Sequence, residues 1–322
     1  MLPEKLYINI KSSYFELLKN GESMLGYIDI GRKIYNMQNP REVHRFVVFA
    51  IRCLLHPFRM KRLEKFFHST PLMEKIAAEY GFVYEQPTRA FFYNKSTFSE
   101  RATLVEEHME YLAEHVKEQD FLDLYAKKEK LLWQSTDEGA GLRLVLSYHP
   151  GQRKEGLLSL VLSCDEGELY QMIFWIAKDR QREWSLWIGA MQGPNMENAR
   201  EIIKKVTKRC HAYRTKNLIL HVTQEIARAL RLKHIYAVTN YGYYANNHIR
   251  RDRKLKTDFS QFWQESGGTP CKDLRFFELP LKEYRKTMEE IPTRKRANYR
   301  KRFQMLDEID ESILVRMKRL MK

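Results

Sequence analysis

Between positions 240 and 251 the chain gathers side chains that bind and move charge: Asn240, Tyr243, Tyr244, Asn247, His248, Arg250 and Arg251. An imidazole ordinarily titrates at about pH 6.5, so His248 is a candidate general base, and the Tyr244 phenol is the second catalytic candidate. The amide and guanidinium groups around them suit a phosphorylated ligand, because both make directional hydrogen bonds to phosphate oxygens. Further candidates for binding such a ligand are Gln192 and Gly193, then Arg214, Thr215 and Lys216, with Asn240 closing the set. The positive run continues through Arg253, Lys254 and Lys256, which equally suits contacts to a nucleic-acid backbone. The plainer alternative is a surface loop of ordinary turn residues.

Signatures that would name a reaction are missing from the sequence: it holds no P-loop, no His-Glu-x-x-His and no Gly-x-Ser-x-Gly. Cys53, Cys164, Cys210 and Cys271 stand far apart, so neither a zinc site nor a disulfide framework is indicated and no metal is expected. A reducing compartment fits that cysteine usage.

The elements that must position these residues run from 184 to 244. Residues 184–191 form an apolar, aromatic-rich stretch stopped by Gln192-Gly193-Pro194, which predicts a buried strand. Ile202, Ile203, Val206 and Cys210 predict one helix, and Leu218, Ile219, Val222, Ile226 and Leu230 a second after a break at 211–214. Residues 235–239 then predict a strand closed by a turn at Asn240-Tyr241-Gly242. A strand, a helical crossover and a strand predict a parallel pair, whose carboxyl ends open a crevice where ligands bind.

Upstream, residues 1–80 read as short helices. The first carries Tyr14, Phe15, Leu17 and Leu18 on one side; the next is opened by Asn39-Pro40 and ended by His56-Pro57. Arg41, Arg45, Arg52, Arg59, Lys61, Arg62 and Lys65 interleave there with Phe46, Phe49, Phe58, Phe66 and Phe67, a pattern open to two readings. It is a packed helix with a solvated basic face, or a segment that lies on an anionic bilayer. Residues 82–84 and 91–93 read as short strands. The helix beginning at Ser99 places His108 on its inner face with Leu104, Val105, Leu112 and Val116, which marks it as a hydrogen-bonded core histidine.

Beyond Gly139 and Gly141 the period changes to two, and strands are expected over 142–146, 157–163 and 169–177, with a hairpin at 165–167. Asp258, Phe259, Phe262 and Trp263 belong to a short helix, residues 274–279 to a last strand, and residues from 293 to a long helix. That helix opens with Arg294, Lys295, Arg296, Arg300, Lys301 and Arg302 and continues with an apolar stripe from Phe303 to Leu320. The class is therefore α+β: a helical N-terminal region (1–138), a mixed, mostly antiparallel sheet with crossover helices (139–292) and a basic amphipathic C-terminal helix (293–322).

The chain has 322 residues and a formal net charge of +15. That excess favours phosphate-rich partners: nucleic acid, an anionic membrane face or a phosphorylated small molecule. Its first residues show no basic region followed by a continuous apolar one, so a cytoplasmic location is expected, with peripheral attachment to the inner membrane open. The longest apolar run, 46–51, is far short of the roughly 20 residues of a membrane span.

An antiparallel meander feeding a strand–helix–strand unit is similar to the sheet of GNAT-type acyltransferases. That resemblance implies an acyl-coenzyme A whose pyrophosphate sits on backbone amides at the start of the crossover helix. Here the corresponding segment is 211–217; it contains no glycine, and an extra helix over 197–210 precedes it. A wider set of motifs resembles the bacterial VirK/YbjX family: 188–193 (Ile-Gly-Ala-Met-Gln-Gly), the run from Thr215 to Asn240, 258–263 (Asp-Phe-Ser-Gln-Phe-Trp) with Gly267-Gly268, and the stretch 291–300, extending upstream through Arg101 and His108. This resemblance implies a Gram-negative cytoplasmic protein linked to envelope remodelling, antimicrobial-peptide resistance and virulence, without naming a reaction. Three classes of function follow: an acyltransferase-like enzyme, a basic nucleic-acid-binding post-transcriptional regulator, and a non-catalytic scaffold at the inner membrane face.

Overall fold

In the computed structural model, which describes residues 21–135, 141–246 and 258–322, six of the expected strands join two unexpected ones in one eight-stranded sheet. Its strands are β1 (Lys130–Gln134), β2 (Arg143–Ser147), β3 (Leu158–Cys164), β4 (Gly167–Lys178), β5 (Trp184–Gln192), β6 (His234–Val238), β7 (Thr269–Pro270) and β8 (Phe276–Leu279), in the spatial order β1-β2-β3-β4-β5-β6-β8-β7. Every neighbouring pair is antiparallel except β5 and β6, which run parallel from Ser185↔His234 to Ile188↔Ala237. This is the meander and parallel crossover that the resemblance to GNAT-type sheets implies.

The helices start where local chemistry tells them to. In chain order they are α1 (Gly21–Ile34), α2 (Pro40–Leu55), α3 (Pro57–Phe67), α4 (Pro71–Glu79), α5 (Phe82–Glu85), α6 (Phe98–His115), α7 (Glu118–Tyr125), α8 (Ala199–Arg209), α9 (Thr215–Ala229), α10 (Phe259–Glu265) and α11 (Thr293–Leu320). Asn39 caps α2, its side chain accepting from the Arg41 amide at 3.0 Å with Pro40 at the first helical position. Thr97 and Glu100 close a reciprocal capping box on α6. The crossover between β5 and β6 is the helix pair α8 and α9; α9 lies on β3, β4 and β6, and α11 packs over α9 and β1.

α6 serves the sheet directly. β3 stops pairing with β4 at Leu158↔Phe174, leaving the last residues of β4 without a strand on that side. There the Ile176 amide donates to His108 Nδ1 (3.0 Å) and the Lys178 amide to Glu107 Oε2 (2.9 Å). His108 Nε2 meets the Tyr125 hydroxyl at 3.0 Å, and that hydroxyl donates to the Leu157 carbonyl at 3.2 Å. Full burial pushes the imidazole pKa down to about 3, so it is neutral and accepts at Nδ1. His108 is thus the hydrogen-bonded core histidine its helix position predicts.

Two stretches differ from expectation. Residues 82–84 form the helical turn α5, followed by the 3-10 turn Gln86–Thr88. Glu85 is fully buried there and must satisfy its charge, which it does with Arg89 (3.0 Å), Arg153 (2.9 Å) and the Tyr35 hydroxyl (2.5 Å). Residues 91–93 run as a loop with Phe92 at φ +67°, and only Tyr93 forms a bridge, to Tyr243. β1 was not expected; it is held by Lys130 against Asp120 (2.7 Å) and Asp123 (2.8 Å), and by the Ser312 hydroxyl donating to the Leu132 carbonyl (2.9 Å). The expected first helix around Tyr14 to Leu18 lies outside the described residues.

One buried hydrophobic cluster runs from Tyr27 to Met317 and joins residues of all three sequence regions. Among the described residues no helix is long and apolar enough to cross a membrane.

Candidate functional site at the parting of two parallel strands

β5 continues four residues past its last pairing with β6, from Ile188 to Gln192, while β6 ends at Val238 and turns through Thr239 to Tyr244. Two loops converge on that parting. The turn before β3 brings Glu155 across β5, where a Cβ on residue 189 would stand inside the Glu155 carbonyl oxygen, so glycine is required at that position. The loop at 91–94 runs beside the turn after β6: the Asn94 amide donates to the Gly242 carbonyl (2.8 Å) and its side chain to the Tyr241 carbonyl (2.9 Å).

At the centre is a carboxylate–phenol pair. The Tyr243 hydroxyl donates to Glu155 Oε1 at 2.5 Å, and Gln192 Nε2 donates to Glu155 Oε2 at 2.6 Å. Burial raises the Glu155 pKa above the usual carboxyl range, against the pull of those two hydrogen bonds and of Lys154. Burial and the neighbouring Glu155 together push the Tyr243 phenol well above its ordinary value. The Tyr243 ring packs on Tyr244 (centroids 4.9 Å) and Phe259 (5.7 Å), and Tyr244 meets Phe91 edge-on at 6.2 Å. A buried carboxylate near a strand end, accepting one hydrogen bond from a phenol and one from an amide, has the chemistry to accept and return a proton.

The residues singled out from sequence fall into three places. Gln192 and Tyr244 stand at the pair itself, and Gln192 with Gly193 also lines a cavity of about 330 Å³ bounded by the β3–β4 hairpin, Asn195 and Met196.

 A separate cleft of about 410 Å³ is lined by Tyr93, Trp175, Trp187, Arg275 and Phe276 among others. Asn240 is committed to the fold: its Nδ2 donates to Asp258 (2.8 Å), its Oδ1 accepts from the Phe259 amide (2.8 Å), and it thereby fastens the start of α10.

Arg214, Thr215 and Lys216 open α9. Arg214 is exposed, Lys216 lies 3.7 Å from Glu265 and 4.6 Å over the Phe262 ring, and Thr215 is buried with its Oγ1 lacking a hydrogen-bond partner. Just before them His211 and Ala212 take positive φ values of 53° and 61° without being glycine. α11 holds that turn, since the His211 carbonyl accepts from Asn298 Nδ2 (2.9 Å) and from Arg302 Nε (3.1 Å) and Nη2 (2.9 Å). His248, with Asn247, Arg250 and Arg251, lies outside the described residues. Glu155 was not singled out from sequence, and nothing in its local stretch marks it; Tyr243 was named there without a role.

Comparison with known proteins agrees with the wider resemblance. Residues 38–314 match the family model described as "Protein of unknown function (DUF535)". The uncharacterized protein YbjX of Escherichia coli K12 is 31% identical over 173 residues, 53% of this chain and 52% of that one. Two uncharacterized proteins of Haemophilus influenzae are 32% identical over 129 residues (40% of this chain, 42% of theirs) and 28% identical over 214 residues (66% and 69%). The match to the first two spans about half the length of those relatives or less. No solved structure matches. With its match running from 38 to 314, the chain belongs to the DUF535 family and is a protein of the VirK/YbjX type.

Proposed function

We propose that this protein is an acyl-coenzyme A-dependent acyltransferase that works at the parting of β5 and β6, on an envelope precursor. The observation that carries the reading is the Glu155–Tyr243 pair, a buried carboxyl of raised pKa at the carboxyl end of a parallel strand pair in a GNAT-like sheet. The start of α9 fits the anionic part of such a co-substrate. An exposed guanidinium at Arg214 and an orphaned buried hydroxyl at Thr215 stand beside amides that have no partner inside the helix. Arg214, Thr215 and Lys216 would hold its phosphates, with Gln192 and Gly193 nearer the reacting end.

Bound there, the thioester supplies an activated acyl group. Glu155 would take the proton from the acceptor's amine or hydroxyl as that nitrogen or oxygen bonds the acyl carbon, and Tyr244, beside Tyr243, would give a proton to the coenzyme A sulfur as the C–S bond breaks. Envelope remodelling, antimicrobial-peptide resistance and virulence are the setting that the VirK/YbjX type brings to this reading, in the cytoplasm. The regulator reading rests on net charge, with no observation at a site favouring it.

Titration calorimetry with coenzyme A, acetyl-coenzyme A and a desulfo analogue tests the proposal. Binding of all three is expected, and Arg214→Ala should weaken it roughly 10-fold, the effect of losing about 1.5 kcal/mol from a charge-assisted hydrogen bond. Glu155→Gln should leave binding in place and remove transfer. No heat with any of the three at millimolar concentration sinks the enzyme reading.

A further inference from the structure

α2 is apolar on two sides. Phe49 and Cys53 are buried in the core, yet Val47, Ile51, Leu54 and Leu55 are 45, 50, 46 and 66% exposed, and Phe58, past the Pro57 corner, is 66% exposed. Positions 47, 51, 54 and 55 follow helical spacing and fall on one side of the helix, away from Phe49 and Cys53. Eleven large hydrophobic side chains are exposed among the described residues, and five of them lie within 47–58, so the stripe is a local feature rather than the scatter every surface shows.

Charge around the stripe is predominantly positive. From 40 to 67 the chain carries Arg41, Arg45, Arg52, Arg59, Lys61, Arg62 and Lys65 against Glu42 and Glu64. Glu42 pairs with Arg45, and Arg62 pairs with Glu106 of α6, which leaves Arg41, Arg52, Arg59, Lys61 and Lys65 to carry the excess. On the helical wheel Arg41, Arg45 and Arg52 run along one flank of the stripe, and Arg59, Lys61 and Lys65 continue the positive charge on α3. A convex aliphatic stripe bordered by cations matches the boundary between anionic headgroups and acyl chains, where apolar side chains sink and Lys and Arg stay with phosphate.

We infer that α2 and the start of α3 form a docking surface for an anionic lipid bilayer. The stripe from Val47 to Phe58 enters the acyl boundary, and the flanking cations hold the headgroups. This attachment is independent of the acyltransferase reading, because it uses none of the residues at the parting of β5 and β6.

The test is flotation of the full chain with phosphatidylcholine vesicles and with phosphatidylcholine–phosphatidylglycerol vesicles. Binding to the anionic vesicles alone is expected, weakening as salt rises. The triple substitution Ile51→Ser, Leu55→Ser and Phe58→Ser should reduce it at least about tenfold, since each removes apolar area that the bilayer would bury. Replacing Arg41, Lys61 and Lys65 by glutamine should cost roughly fivefold per charge. Circular dichroism melts check that the variants fold, and Phe58→Trp gives a readout on the intact surface, with quenching by brominated anionic lipid expected beyond that of the unsubstituted chain. Equal binding to both vesicles, none to either, or unchanged binding of the triple variant overturns the inference. So does a dimer in light scattering that the triple variant dissolves, which would make a second copy the occupant.

Discussion

Glycine 189 and glutamate 155 define each other. The carboxylate reaches Tyr243 only because its own backbone lies flat on β5, and it lies there only because residue 189 has no side chain. Gly189→Ala should therefore destabilise the fold by about 1 to 3 kcal/mol, the usual cost of forcing extra volume into a packed site, read as a lower urea midpoint with an unchanged slope. An unchanged midpoint would mean the turn gives way cheaply and that Glu155 is not held where it is described. The pair itself was hidden in the sequence because its members stand 88 positions apart. Gln192 and Tyr244 were legible because each sits at the end of a readable strand or turn. His108 was legible for a different reason, as helix periodicity alone put it inside.

Between elements, the most consequential joint is that of α9, α11 and the segment after β8. His221 of α9 sits between two carboxylates, with Nε2 2.7 Å from Asp310 of α11 and Nδ1 3.6 Å from Glu283. Glu225 and Arg285 complete the surroundings, Arg285 lying 3.4 Å from Asp310. Burial works to lower the His221 pKa, but the hydrogen bonds to Asp310 and Glu283 outweigh it and the net shift is upward. The sign follows: a raised folded pKa stabilises fully below the unfolded value of about 6.5 and loses that contribution as pH rises through the folded value. Thermal melts should fall in midpoint across that rise, and His221→Gln should flatten the dependence; a variant with the same slope would locate the titration elsewhere. Strands of the meander were legible from period-two patterning and short apolar runs, and both crossover helices from apolar residues three and four apart. β1 was not, since five residues directly after a helix show no period of their own and the register comes from Asp120, Asp123 and Ser312.

At the scale of the molecule, the division into three regions read from composition meets one continuous core. Tyr27, Ile176 and Met317, one from each region, belong to the same buried cluster, and α6 supplies the hydrogen bonds that β3 does not give to β4. Calorimetry is expected to show a single transition with matching calorimetric and van't Hoff enthalpies, and two resolved transitions would show that the helical N-terminal region unfolds by itself. Class and the order of the meander and crossover strands, β2 to β6, were legible because alternation and crossover length are local properties. The way the N-terminal helices join the sheet was not, because it is made by single side chains across long separations.

The outermost strand beside β8 has a consequence for how the protein behaves when crowded. β7 is two residues long and ends in Pro270, which has no amide hydrogen to offer a newcomer, while at the opposite rim the Ser312 hydroxyl of α11 already occupies the Leu132 carbonyl. Both rims of an eight-stranded sheet are thus poor templates for adding a ninth. A concentrated solution should resist fibre growth by strand recruitment for as long as α11 stays in place.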